Sequence, residues 1–251
     1  MHRIHGPWLS APLVAALLTI VAAACSPSAD PARATVQLIV EDLAAQRYGR
    51  ATAVYREAED VVLSEAAADS WRRALEHEDA TVRQWAVDAL SRIGDPADLV
   101  RVVDALDDSF RKVQEIAAEG LVRMSPDRAR EVFLQRLEAP DVLARVLAAQ
   151  TLADMGETAA VPPMIEQVRD DSLDPGIRDV MAQSLGRLGD SRAAMPLVEV
   201  ALDESADLQL RRSAADALTF LPIEDSRDAL QRLAQVDDAY IRDLAERALR
   251  N

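Results

Sequence analysis

Few residues in this chain have the types and spacing that catalysis requires. Cysteine occurs once, at Cys25, and of the three histidines only His77 lies beyond the N-terminal His2 and His5. Catalytic and metal sites need convergent, tunable groups, such as clustered His and Cys ligands or a nucleophile beside a base. The sequence has no H-E-x-x-H, no C-x-x-C and no glycine-rich phosphate loop. The segment Ala182-Gln183-Ser184-Leu185-Gly186 carries half of a nucleophile elbow, but it lacks the first glycine and falls inside a helical pattern. His77 stands between Glu76 and Glu78 near a turn and reads as a solvated side chain. The acidic pairs Asp107-Asp108 and Asp170-Asp171 lack the spacing of a calcium loop and read as helix caps. These residues predict no catalytic group, no metal site and no cofactor. What remains is the chemistry of recognition, and one thiol.

The thiol has a distinctive setting. Arg3 precedes an apolar stretch from Ala11 to Ala24, which at 14 residues is short for a membrane span of about 20. The stretch ends Val21-Ala22-Ala23-Ala24-Cys25 and is followed by Ser26-Pro27-Ser28-Ala29-Asp30-Pro31. Small residues directly before a lone cysteine resemble the lipobox of bacterial lipoproteins, with Ala22 where that family usually has leucine. The resemblance implies removal of residues 1–24 as a signal peptide and lipidation of Cys25, which becomes the N-terminus. Residues 25–32 would then be the lipidated cysteine and a flexible tether. Ala22-x-Ala24 also fits the cleavage rule of a simple secretory signal, so a secreted or periplasmic protein is the alternative. Ser26 stands where an aspartate typically marks inner-membrane retention in Gram-negative lipoproteins, and this implies the outer membrane.

Composition restricts both fold and partners. Apolar residues make up 49% of the chain but aromatics only 4%. A core of Ala, Leu and Val suits helices packed closely on helices and suits a β-sandwich poorly. The formal net charge is -15, and Lys112 is the only lysine. Such a chain repels phosphate backbones, and no cluster of bases offsets that repulsion. The expected partner is another protein or a peptide, not a nucleic acid.

The most informative feature is a repeat. Segments that begin at Asp79, Phe110, Asp141, Asp174, Asp207 and Asp238 share one pattern, and successive copies start 31, 31, 33, 33 and 31 residues apart. The leading Asp is placed to cap a helix N-terminus. Three residues on stands an apolar residue: Val82, Val113, Ala144, Ile177, Leu210 or Ile241. Counted from it, offsets 4 and 7 are mostly small and offset 8 is always leucine, from Leu90 to Leu249. All of these fall on one helical face. Gly94, Gly156 and Gly189 then stand where a helix ends. Weaker helical patterns precede each copy, at 97–106, 128–137, 161–168, 193–202 and 227–233. Each repeat is therefore a pair of helices.

The pattern Asp-x-x-apolar-Arg-x-x-Ala-x-x-x-Leu-x-x-apolar-Gly-Asp resembles the HEAT repeat, in the short variety also found in phycobilisome lyases. The resemblance covers residues 64–251. It implies an all-α fold, a right-handed α-solenoid of about six two-helix repeats whose second helices line the concave side. It also implies ladders of Asp and Arg between neighbouring units, here Asp79 and Arg83, Asp141 and Arg145, Asp174 and Arg178, Asp207 and Arg211, and Asp238 and Arg242. The copy at Phe110 departs from this, with Phe110 and Gln114 in the two ladder positions. Residues 33–63 read as an N-terminal helical cap over the first repeat.

Two further stripes carry functional expectations. Offsets 5 and 9 are small and uncharged in five copies (Val87/Ser91 through Ala215/Thr219) but Glu246/Arg250 in the last. This predicts packing of each repeat against the next, and a stack whose final repeat has no follower. Offsets 6 and 10 point away from core and neighbours. They supply the expected partner-binding surface: Asp88, Arg92, Glu119, Arg123, Gln150, Gln183, Arg187, Asp216 and Phe220. The function read from the sequence is a non-catalytic, envelope-tethered scaffold or adaptor that binds its partner on this concave face. Two alternatives stand beside it. One is an enzyme or enzyme auxiliary related to the phycobilisome lyases, and the other is a purely structural envelope protein.

Overall fold

The computed structural model describes residues 30–250, apart from the side chains of residues 223–226. The predicted signal peptide, Cys25 and most of the predicted tether lie outside the described residues. The described chain is all-α with short 3-10 turns, as the sequence predicts. The helices are α1 (Pro31–Ala44), α2 (Tyr48–Glu57), α3 (Glu59–Val62), α4 (Ala68–Ala74), α5 (Ala80–Ile93), α6 (Leu99–Asp104) and α7 (Arg111–Met124). They continue as α8 (Pro126–Arg136), α9 (Val142–Asp154), α10 (Val161–Arg169), α11 (Pro175–Leu188), α12 (Ala194–Leu202), α13 (Leu208–Leu218), α14 (Ile223–Leu233) and α15 (Ala239–Arg250). Among the described residues, no helix is long and apolar enough to cross a membrane.

One boundary moves. The tether was expected to run to residue 32, but α1 begins at Pro31. Asp30 accepts a hydrogen bond from the Ala32 backbone N–H at 3.0 Å, and proline at the first helical position is pre-organised for a helix. The Thr35 hydroxyl donates to the Pro31 carbonyl, and Ala32 is buried. These local contacts hold the segment helical.

The helices form two compact units that divide after Pro126. In the first, α5 stacks on α7 and α1 packs on α2, α4 and α5. Val36, Ile39 and Leu43 of α1 share a core with Trp71, Val82 and Leu90. Trp71 is fully buried, and its indole N–H donates to the Val62 carbonyl at 2.7 Å, which satisfies the one polar atom of a large apolar side chain. Trp85 joins the same core and meets Tyr55 edge-on, with ring centroids 5.2 Å apart.

In the second unit α9, α11, α13 and α15 form one layer, each packed on the next, while α10, α12 and α14 form the other. Small residues set the spacing in both units. In the first, a Cβ added to Gly120 would lie 2.8 Å from the Ser91 Cβ. Ser91 is at offset 9 of one repeat and Gly120 at offset 7 of the next, so this stripe packs against the following repeat. At the equivalent stripe of α15, Glu246 and Arg250 are exposed and pair with each other at 3.8 Å.

The helix ends follow the sequence pattern. Asp79, Asp141, Asp174, Asp207 and Asp238 each accept a backbone N–H from the first turn of the helix they precede. Gly94, Gly156 and Gly189 all have positive φ, the backbone conformation that closes a helix C-terminus without a Cβ clash. At α7 no side chain caps the helix, and Gln114 donates to the Asp108 carbonyl at 2.7 Å instead.

Candidate functional site

The Asp–Arg ladder is not the arrangement found. The leading aspartates turn their carboxylates to their own helices. The arginines reach carbonyls near the C-terminal end of the first helix of the same repeat. Arg83 donates to His77 and Glu78, Arg178 to Val168, Arg211 to Ala201 and Arg242 to Val236. Orphan backbone groups at helix ends must be satisfied, and a cation is favoured at a helix C-terminus. Here both needs are met within one repeat. The Asp170 carboxyl is held below its ordinary range by the hydrogen bonds from Ser172, with smaller electrostatic help from Arg178 and Arg145.

Of the described ion pairs that bridge neighbouring repeats, two involve a predicted ladder residue. Arg212, one residue after the predicted ladder position, reaches Asp238 at 2.8 Å. In the first unit Arg83 clasps Asp108 with both arms, at 2.7 and 2.8 Å, and both side chains are nearly buried. The guanidinium also lies 5.7 Å from the centre of the Phe110 ring. The Arg83 contact holds the Asp108 carboxyl below its ordinary range, helped by a hydrogen bond from the Phe110 backbone N–H. A carboxyl depressed in the folded state contributes stability above its unfolded value, which is lost as pH falls through the folded one. The stability that Asp108 contributes to the first unit is therefore expected to be lost as pH falls from the usual carboxylate range to below it. Asp108→Asn should lower stability at neutral pH and flatten its fall with acid, read from urea midpoints at several pH values. An unchanged acid profile would show that Asp108 does not carry this dependence.

The residues whose types suggested chemistry are buried or tied into local turns. The Ser184 hydroxyl is fully buried within α11. The His77 Nδ1 accepts the Asp79 backbone N–H at 3.0 Å. Asp170 accepts both the hydroxyl and the backbone N–H of Ser172, which closes the turn before α11.

The predicted binding residues fall into two settings. In the first unit, Arg92 donates to the Tyr55 hydroxyl at 2.9 Å and pairs with Glu59, while its guanidinium lies 5.8 Å from the centre of the Tyr55 ring. Arg123 donates to Ser91 at 2.5 Å and lies 3.6 Å from Asp88. These arginines and Asp88 stitch helices of the unit to one another. Glu119 is exposed on α7.

In the second unit, Gln150, Gln183, Arg187, Asp216 and Phe220 line one open groove of about 670 Å³. It runs across α9, α11 and α13 to the start of α15. Phe220 is 63% exposed and Tyr240, which shares the lining, 47% exposed. Sequence reasoning missed Tyr240, Gln209 and Arg212, which share this lining. Tyr240 stands one residue before the apolar offset of the last copy, in the exposed first turn of α15. An aromatic residue there, in a chain so poor in aromatics, was the available signal. The groove's two cations are held within the unit: Arg187 pairs with Asp154 at 2.5 Å, and Arg212 pairs with Asp238 while stacking 5.5 Å from the Tyr240 ring centre.

The family of HEAT repeats matches residues 35–121, 99–179 and 171–250. The chain belongs to the HEAT-repeat family. The match begins inside α1, so it takes in the segment read from sequence as a separate cap. No curated protein matches the sequence. Among solved structures, the HEAT-repeat chain is similar to an engineered protein at 18% identity and TM-score 0.47, over 73% of this chain and 95% of that one. A designed armadillo repeat protein is similar at 16% identity and TM-score 0.44, over 72% of this chain and 97% of that one. The complex of CpcE and CpcF of phycocyanin lyase from Nostoc sp. PCC7120 is similar at 19% identity and TM-score 0.38, over 100% of this chain and 97% of that one.

Proposed function

We propose that this HEAT-repeat protein is a non-catalytic binding module that holds a protein or peptide partner in the groove of its second unit. The observation that supports the reading is the groove itself. It combines two exposed aromatic side chains with arginines and side-chain amides, the residue types that anchor protein interfaces. The helix packing around it is closed by small residues and capped ends, so the groove has rigid walls. The test is a photo-cross-linking amino acid at position 220, compared with one at Met195, an exposed apolar position on α12. A discrete partner adduct is expected from position 220 and not from 195, and it should disappear when Tyr240→Ala is added. Equal adducts from both positions, or none from 220, would show that the partner binds elsewhere.

The reading includes an anchor to the cell envelope through a lipid on Cys25, at the outer membrane. Its support is the run of small residues before the lone cysteine. Cys25→Ser is expected to move the protein from the membrane fraction to the soluble fraction, or to leave the precursor unprocessed. Unchanged membrane association and processing would sink the lipid anchor and leave the groove reading untouched.

A further inference from the structure

Resting on that reading of the groove, we infer that it selects an extended segment carrying a lysine or arginine, whose side chain lies between Phe220 and Tyr240 with its charge against Asp216. Three observations converge on this. The first is the balance of charge. Arg187 and Arg212 are each neutralised within the unit, by Asp154 and Asp238. The exposed Asp216 carboxylate accepts no hydrogen bond and enters no ion pair among the described residues. The groove's uncompensated charge is therefore negative, in a chain of net charge -15. A cationic side chain complements it and an anionic one is repelled.

The second observation is the pair of aromatics. Phe220 follows Asp216 by four residues, and Tyr240 lines the same groove. Aromatic faces attract cations, and Tyr240 already has Arg212 in this geometry at 5.5 Å. The third is the row of amides. Gln150 on α9 and Gln183 on α11 occupy the same position in successive repeats, and Asp216 follows them on α13. A glutamine amide has two N–H donors and one carbonyl acceptor; Gln183 uses one donor on Asp179 at 2.9 Å, and its second donor and its carbonyl match a peptide group. Packed helices stand about 8–10 Å apart. An extended chain advances about 3.3 Å per residue, so every third residue meets the next repeat. A chain bonded through its backbone to Gln150 and Gln183 would bring a side chain to Asp216 in the same register.

The experiment is a selection of random peptides displayed on phage against the full chain, followed by binding of the enriched peptides to Asp216→Asn and to the Phe220→Ala, Tyr240→Ala double variant. Folding of each variant is checked by circular dichroism. The expected result is enrichment of Lys or Arg, with affinity falling about tenfold in Asp216→Asn and further in the double variant. Peptides that lose binding in the double variant but lack Lys and Arg, or ignore Asp216→Asn, would overturn this inference and leave the groove as a binding site. Enriched peptides indifferent to the double variant, or no enrichment at all, would overturn both.

Discussion

Replacing Arg72 with methionine is expected to cost the first unit about 3–5 kcal/mol of unfolding free energy, while Asp98→Asn costs roughly half as much. Asp98 is fully buried in the turn before α6, and Arg72 of α4 grips it with two hydrogen bonds, at 2.7 and 2.9 Å. The same guanidinium reaches Asp95 at 2.8 Å and Asp69 at 2.6 Å, so its donors have several acceptors. Arg101 adds only a longer contact to Asp98, at 3.2 Å, from a more exposed side chain. The asymmetry decides the sizes. Without Asp98, the guanidinium keeps two carboxylates and partial access to water. Without Arg72, a carboxylate with no exposure keeps one distant cation, and an uncompensated buried charge is the expensive case. Methionine retains most of the apolar stem, so lost packing contributes little. Denaturant midpoints of both single variants and the double variant would measure this. A loss under 1 kcal/mol for Arg72→Met would place the pair among ordinary surface ion pairs.

Gly186→Leu is expected to destabilise the second unit by about 3 kcal/mol or more, and even Gly186→Ala should be a net loss. Helix propensity alone predicts the opposite sign for alanine, a gain of about 1 kcal/mol. Contact reverses it. A Cβ on Gly186 would stand 2.8 Å from both the Cα and the Cβ of Ala217 on α13. The neighbour is backbone and cannot rotate away, so α11 and α13 must separate and lose contact along their length. Gly49 in α2 is the control, because nothing lies within 4 Å of its added Cβ. There alanine should stabilise by about 0.5–1 kcal/mol. Urea unfolding of the three variants tests the sign at each site. Stabilisation by Gly186→Ala would mean that the two helices do not approach this closely.

The sequence alone determined whatever depends on short-range order. The helix pairs, the aspartate caps and the glycine stops could all be read because each rests on residues a few positions apart, within one helical turn or at its end, and the repeat period could be read because that same local pattern recurs. Even the stripe that packs one repeat on the next was legible, since a helix face repeats with the same 3.6-residue period. The tertiary structure decided which polar side chains are taken and which remain available. Arg92 and Arg187 occupy the same position in their repeats, yet one is bound to Tyr55 and Glu59 and the other to Asp154 at the edge of a groove. Arg178 and Arg211 satisfy carbonyls while Arg83 also clasps Asp108, and Tyr240 joins a surface whose other members lie on or just after three earlier helices. A long polar side chain reaches several partners at similar cost. The choice among them depends on distances between residues on different helices, from 10 positions apart for Arg178 and Val168 to 37 for Arg92 and Tyr55, which helical periodicity does not encode and only the packing of helices on one another sets.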